Sequence, residues 1–331
     1  MNYILLLLGF ALLVKGADYF VDGASNIAKV LNIPPLIIGL TIVAFGTSAP
    51  EAAVSISAAL DGQNGMAMGN VIGSNLFNLL MVVGMTGLIK KLHVEKAIIK
   101  KEFPFLLLAS ILMFVLMGDV FLQNTTSSML SRGDGLVLLM FFSIFMYSLI
   151  ISALKSRNTI IEEVSSTYEC SGDVLIESQE KSEPLTKSII VSVLGIIAIV
   201  VGGQLVVKCA STIATQFGVS DQLIGLTIVA IGTSLPELVT SIVAATKGES
   251  DIALGNVIGS NVFNILFVLG ISSFISPITI DPKLFIDGLF MIFATALTYI
   301  FATKEKDINT FESIVLISLY GLYTAYLIFT M

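Results

Sequence analysis

Tryptophan is absent from this chain, histidine occurs once, at position 93, and cysteine twice, at positions 170 and 209. Zinc, copper and nickel centres draw on several imidazole or thiolate ligands, so a supply this thin argues against them. One cysteine lies in a polar stretch and the other in an apolar one, which leaves no disulfide framework to read. His93 sits in a Lys-rich loop and is expected to be solvated. Charge is scarce too: 12 % of residues are Asp, Glu, Lys or Arg against 55 % hydrophobic, and the mean hydropathy is +0.95. That balance excludes an ordinary soluble domain and makes the lipid bilayer the expected surroundings. The net charge of −7 says little about partners, because the acidic excess is concentrated in one polar stretch. No nucleic-acid partner and no cofactor is expected.

What the chain has in abundance is long apolar runs. Crossing about 30 Å of hydrocarbon takes about 20 residues, and ten candidates are found, near 3–31, 35–60, 66–89, 103–123, 134–154, 186–217, 222–246, 252–275, 284–303 and 310–330. The first has no basic leading segment and no small-x-small cleavage site. Gly16, Val21 and Ala24 in it match Gly202, Val207 and Ala210, so it reads as a permanent helix rather than a signal peptide.

That match is part of a duplication. Residues 39–84 and 225–270 align without a gap, 186 positions apart, with 29 of 46 positions identical, including GTSAPE against GTSLPE and GNVIGSNLFN against GNVIGSNVFN. Each copy carries one glutamate, Glu51 or Glu237, inside an otherwise apolar stretch. A carboxylate at membrane depth costs about 2.5–3.5 kcal/mol even on lenient insertion scales. Making that choice twice points to two halves of one ion site.

Five helices per copy is an odd number, so the second copy must enter the membrane from the opposite side. The expected fold is all-α, with ten transmembrane helices as two inverted five-helix repeats, the plan of many secondary transporters. With the N-terminus outside, thirteen of the seventeen Lys and Arg residues fall in inward-facing loops, so the positive-inside rule places both termini outside the cytoplasm. The domain organisation expected is a first repeat over 1–154, an acidic cytoplasmic linker over 155–185 and a second, inverted repeat over 186–331. The linker is rich in Glu, Ser and Thr and lacks a sustained apolar period, which predicts a mobile segment; its acidic residues show no EF-hand spacing.

Within each repeat, Pro50 and Pro236 remove a backbone donor and crowd the carbonyls of Gly46 and Gly232, so a helix break is expected at each GTSxP segment. Carbonyls freed there can face a cation, and such backbone is tolerated at membrane depth only inside protein or beside water. Thr47 and Glu51 are four apart, as are Thr233 and Glu237, which predicts a shared helix face. Ser74 with Asn78, and Ser260 with Asn264, repeat that spacing with neutral oxygens. Gly69, Gly73, Gly255 and Gly259 predict close helix approach. Every candidate ligand is a hard oxygen donor, the chemistry of Ca²⁺ and Na⁺. Two carboxylates are neutralised by one Ca²⁺ or by two Na⁺, so a site that holds either load but not both has the basis for exchange.

The paired GTSxPE and GNxxGSNxxN motifs resemble the repeats of the cation/calcium antiporter superfamily, in particular prokaryotic sodium/calcium exchangers, over nearly the whole chain. The resemblance implies calcium ligands at Glu51 and Glu237, assisted by Thr47 and Thr233 and by the carbonyls of Ala44 and Ala230. It implies sodium-site residues at Ser48, Ser234, Ser74 and Ser260, with Asn78 and Asn264 near the centre. It also implies that the first helix of each repeat slides as a gate. Some relatives carry an aspartate at one of the positions matching Asn78 and Asn264. This chain has asparagine at both, which favours potassium-independent exchange.

The function expected is therefore an antiporter of the plasma membrane, not an enzyme, that exchanges Na⁺ for Ca²⁺ by alternating access and works as a monomer. The runner-up is a proton-coupled or potassium-dependent calcium/cation exchanger. A passive cation channel is a further alternative, although channels usually build carboxylate rings by oligomeric symmetry around one pore. A membrane hydrolase using Ser48 or Ser234 has no His or Lys base to activate either serine. Asp18 and Asp22 on the first helix match Gln204 and Lys208, so the duplication does not support them as ligands; a vestibule lining or a local pair with Lys15 is expected instead.

Overall fold

The structure, a computed structural model, describes residues 2–120, 126–170, 184–218 and 230–330. Among them seven helices are long and apolar enough to cross a membrane, and an eighth span results if one bent pair is counted together. The first repeat comprises α1 (Asn2–Leu31), α2 (Pro35–Ile38), α3 (Ala44–Thr47), α4 (Ala49–Leu60), α5 (Asn64–Leu76), α6 (Val83–Ile89), α7 (Phe103–Leu116) and α8 (Arg132–Cys170). The second comprises α9 (Leu185–Gln216), α10 (Ala230–Thr233), α11 (Leu235–Thr246), α12 (Ser250–Val262), α13 (Leu269–Ile275), α14 (Lys283–Glu305) and α15 (Thr310–Thr330). Single π-helical segments, Gly39–Val43, Phe77–Val82, Ile98–Glu102 and Phe263–Val268, interrupt the α-helical geometry.

The duplication is carried into the backbone. The bounds of α3, α4, α5, the Phe77–Val82 π-turn and α6 recur 186 positions later in α10, α11, α12, the Phe263–Val268 π-turn and α13. Short antiparallel pairs tie one repeat to the other: β1 (Leu92–His93) with β4 (Asp307–Ile308), and β2 (Ser128–Leu130) with β3 (Ile278–Ile280). In the first pair His93 is exposed as expected, yet its Nδ1 lies 2.8 Å from Asp307 Oδ1. Lys91 and His93 together hold the Asp307 carboxyl below the usual range.

Burial separates an inner layer from an outer one. The hydrophobic stretch within Ser250–Ile275 is 94 % buried, whereas those within Arg132–Arg157 and Thr310–Phe329 are 17 % buried. From Ile252 to Val262 every residue of α12 is buried, the polar Asn256, Ser260 and Asn261 together with the apolar ones, so this stretch has no solvent face. Gly255 and Gly259 in α12 make this possible: a Cβ on Gly259 would sit 2.6 Å from the Leu40 carbonyl, and one on Gly255 2.9 Å from that of Leu36. By the same offset Gly69 and Gly73 would face 222–226, which lies outside the described residues.

α1 and α9 pack most extensively on each other. Their contact is built on glycines: Gly16 lies against the Gly195 carbonyl and Gly202 against that of Gly9, with no room for a Cβ at either. Gly16 and Gly202 are thus positions of close helix packing.

Two expected boundaries move. The fourth apolar run was expected over 103–123; its described helix occupies 98–116, beginning with the π-turn that carries Lys100, Lys101 and Glu102. Lysine stems can cover apolar surface while the ammonium reaches polar partners, and Lys101 Nζ does so on Ser152 Oγ at 2.8 Å. The linker expected from 155 is helical through Cys170, because α8 continues past the apolar stretch. Once a helix is nucleated, adding residues costs little, so polarity alone does not stop it. The rest of the linker, 171–183, lies outside the described residues.

Candidate functional site

Proline sets the local geometry. Pro50 and Pro236 occupy the first turns of α4 and α11, and the preceding residues, Ser48 and Ser234, leave helical geometry at φ −86°, ψ 6° and φ −95°, ψ 6°. The chain bends by 51° between Pro35–Thr47 and Ala49–Leu60. The expected breaks are therefore present. They also correct one expectation: Thr47 and Glu51 flank the break instead of sharing a continuous helix face, because the proline cannot join the ladder across it.

The break brings serine and carboxylate together across the repeats. Ser48 Oγ donates to Glu237 Oε1 at 2.8 Å, and Ser234 Oγ donates to Glu51 Oε1 at 2.9 Å. The hydroxyls of Thr47 and Ser260 also face the Glu237 carboxylate. Thr47 Oγ1 reaches Asn256 Oδ1 at 2.9 Å and the Ala44 carbonyl at 3.3 Å, and Ser260 Oγ reaches the same carbonyl at 3.5 Å. Ser48, Ser234, Glu51, Glu237, Asn78, Asn264 and Ser260 have no solvent exposure.

Several oxygens around this set make no hydrogen bond among the described residues. Glu51 Oε2, Glu237 Oε2, Ser74 Oγ, Asn78 Oδ1 and Asn264 Oδ1 are buried and lack a hydrogen-bond partner among the described residues. Leaving a buried acceptor unpaired costs about 1–3 kcal/mol, more when it is charged. Five such oxygens in one duplicated motif are all hard donors, the chemistry that suits Ca²⁺ or Na⁺. Asn78 and Asn264 are each the second residue of a π-turn, a distortion frequent at functional sites. Thr233 ends α10, at the break; the neighbourhood of the Ala230 carbonyl lies outside the described residues.

Sequence reading missed the residues that hold this set in place. Asn70 Nδ2 donates to the Glu51 carbonyl at 3.3 Å and to Ser55 Oγ at 2.8 Å. Asn256 Nδ2 does the same to the Glu237 carbonyl and to Ser241 Oγ, at 3.4 and 3.0 Å. At the centre Asn78 Nδ2 bonds Asn261 Oδ1 at 3.2 Å and Asn264 Nδ2 bonds Asn75 Oδ1 at 3.3 Å, so the four asparagines stitch the repeats together. These amides use the donors of Asn78 and Asn264 and leave their oxygens pointing elsewhere. The signal was in the duplication: Ser55, Asn70 and Asn75 are identical to Ser241, Asn256 and Asn261.

Asp18 and Asp22 stand apart from the set. They line a separate cavity of about 540 Å³ with Lys247 and Glu249, and Asp18 lies 3.8 Å from Lys15, as the sequence reading had it.

The family model described as sodium/calcium exchanger protein matches residues 1–151 and 187–329. The sodium/calcium exchanger MaX1 of Methanosarcina acetivorans is 34 % identical, with 96 % of each chain covered. The inner membrane protein YrbG of Escherichia coli K12 is 38 % identical over 84 % of this chain and 81 % of its own. A solved structure of the sodium-calcium exchanger NCX_Mj, soaked with 2.5 mM Na⁺ and 0.1 mM Ca²⁺, superposes with a TM-score of 0.81 at 30 % identity, over 98 % of this chain and 97 % of the other.

Proposed function

We propose, from the premise that this chain belongs to the sodium/calcium exchanger protein family, that it is a secondary antiporter exchanging Na⁺ for Ca²⁺ across the plasma membrane by alternating access. The observation that carries this reading is the pair of crossed bonds, Ser48 to Glu237 and Ser234 to Glu51, each leaving the second carboxylate oxygen without a partner among the described residues. The fold proposed is ten membrane helices in two inverted five-helix repeats, with both termini outside the cytoplasm.

Ca²⁺ lies between Glu51 and Glu237, with Thr47, Thr233 and the carbonyls of Ala44 and Ala230 completing its shell. Na⁺ is held at the flanks by Ser48, Ser234, Ser74 and Ser260, and Asn78 and Asn264 turn their free oxygens to the centre. Burying a carboxylate costs several kcal/mol. One serine hydrogen bond to a charged group returns about 1.5–3 kcal/mol, so the bare pair is not carried cheaply through the membrane. One Ca²⁺ or two Na⁺ neutralise it, and only the loaded protein changes sides. That requirement makes the two fluxes obligatory partners.

The same carboxylates also accept protons, so a proton-coupled exchanger is the second reading. ⁴⁵Ca²⁺ uptake into proteoliposomes preloaded with Na⁺, K⁺ or choline, with and without a pH gradient, separates them. Uptake that requires internal Na⁺ alone is expected. Uptake driven by the proton gradient or requiring K⁺ overturns the assignment of the counterion, and indifference to counterion indicates a channel.

A further inference from the structure

Away from the ion site, one charged contact joins the first helix to the second repeat. Lys247, in the turn between α11 and α12, places Nζ 2.6 Å from Asp18 Oδ1 and 2.7 Å from Asp22 Oδ1, and donates to the Asp18 carbonyl at 2.8 Å. Two positions on, Glu249 Oε1 accepts the Ser25 hydroxyl at 2.5 Å. On this side α1 lies along α11.

The duplicated partners are arranged differently. α9 and α4, the equivalents of α1 and α11, are not packed to a comparable extent. Between them a cavity of about 290 Å³ runs from Lys208 and Gln204 past Val54 to Pro50, Thr233 and Pro236, the helix breaks of the ion site. The structure is thus closed where α1 meets α11 and open toward the site where α9 would meet α4.

Moved by the 186-residue offset, Asp22 becomes Lys208 and Lys247 becomes Asp61, so the ion pair is kept with its charges exchanged. Ser25 becomes Ser211 and Glu249 becomes Gln63, which keeps a hydroxyl opposite a side-chain oxygen. None of the second set is joined here. Lys208 and Asp61 are exposed, and among the described residues they form no ion pair and the buried Ser211 hydroxyl has no partner.

We propose that the chain carries two alternative latches: Asp22–Lys247 with Ser25–Glu249 closes one face, and Asp61–Lys208 with Gln63–Ser211 closes the other in the opposite-facing state. Inverted repeats exchange conformations when access alternates, so the contact made by one copy here is made by the other copy there. Asp18 adds a carboxylate to the first latch, where the second has the neutral Gln204, which biases the resting protein toward the state seen. An exposed pair shifts a two-state equilibrium by roughly two- to fivefold, enough to set a resting preference without locking the cycle.

This inference rests on the alternating-access part of the function above and not on which ions are exchanged. The test is cross-linking of full-length protein in proteoliposomes, with Cys170→Ser and Cys209→Ala removing the native thiols. The pairs Asp22→Cys/Lys247→Cys and Asp61→Cys/Lys208→Cys are each treated with a short thiol-specific bifunctional reagent. Both pairs are expected to cross-link, and in the protein carrying all four substitutions either link excludes the other. Lys247→Glu, or the milder Asp22→Asn, introduced with the Asp61→Cys/Lys208→Cys pair, is expected to raise its cross-linking rate roughly two- to fivefold. Failure of that pair to link while the first pair links, both links in one molecule, or rates unchanged by both charge variants would overturn the proposal. Because the readout is proximity and not flux, proton-driven calcium uptake would refute the sodium coupling and leave the latches standing.

Discussion

Glu51 and Glu237 each accept a serine of the other repeat with one oxygen and leave the second without a partner among the described residues. Glu51→Gln or Glu237→Gln halves the fixed charge, and one glutamine cannot restore the neutrality of a Ca²⁺-loaded site. Calcium uptake is expected to fall by more than the ~10–100-fold that loss of an outer-shell partner costs a metal site, with circular dichroism and gel-filtration profile unchanged; normal uptake in either variant would end the assignment. Asn70 and Asn256 act one step further out, holding the carbonyl of the glutamate and the serine a turn beyond it. Asn256→Ala is therefore expected to weaken apparent calcium affinity about tenfold while transport at saturating calcium persists, as read from the concentration dependence of ⁴⁵Ca²⁺ uptake.

At the scale of elements, α12 decides how tightly the two repeats can meet. It crosses α2 and the Gly39–Val43 π-turn through Gly255 and Gly259, where the added atom of any other residue meets backbone that cannot swing aside. Overpacking of this kind costs about 1–3 kcal/mol. Gly259→Val is expected to lower the thermal midpoint in detergent by several degrees, whereas Gly321→Ala on α15, with open space around it, leaves it in place. The proline breaks belong to the same scale: they end α3 and α10 so that the following serine can face the other half.

For the whole molecule, the distribution of Lys and Arg predicts the orientation, and the strand pairs, β1 with β4 and β2 with β3, fasten each repeat to the other. Cysteines placed at both termini are expected to react with an impermeant maleimide in intact cells. Protection of both termini until the cells are opened would invert the topology, and with it the side on which Lys247 closes the first latch.

Much of this was legible in one dimension. Membrane residence followed from composition, because few charges and long apolar runs leave the chain no aqueous fold. The candidate site was legible in the duplication, since a costly carboxylate at membrane depth is written twice, and the proline positions foretold the breaks. Asn70, Asn75, Asn256 and Asn261 were identical in both copies, yet their task depended on which amide met which carbonyl across the repeats. The π-turns, the helical course of 155–170 and the contact of Lys247 with Asp18 and Asp22 left no local pattern to read. The Lys247 contact depends on partners far away in the chain, 225 positions for Lys247 and Asp22. Periodicity and propensity act over a few residues, and only packing brings such distant groups within a hydrogen bond of each other.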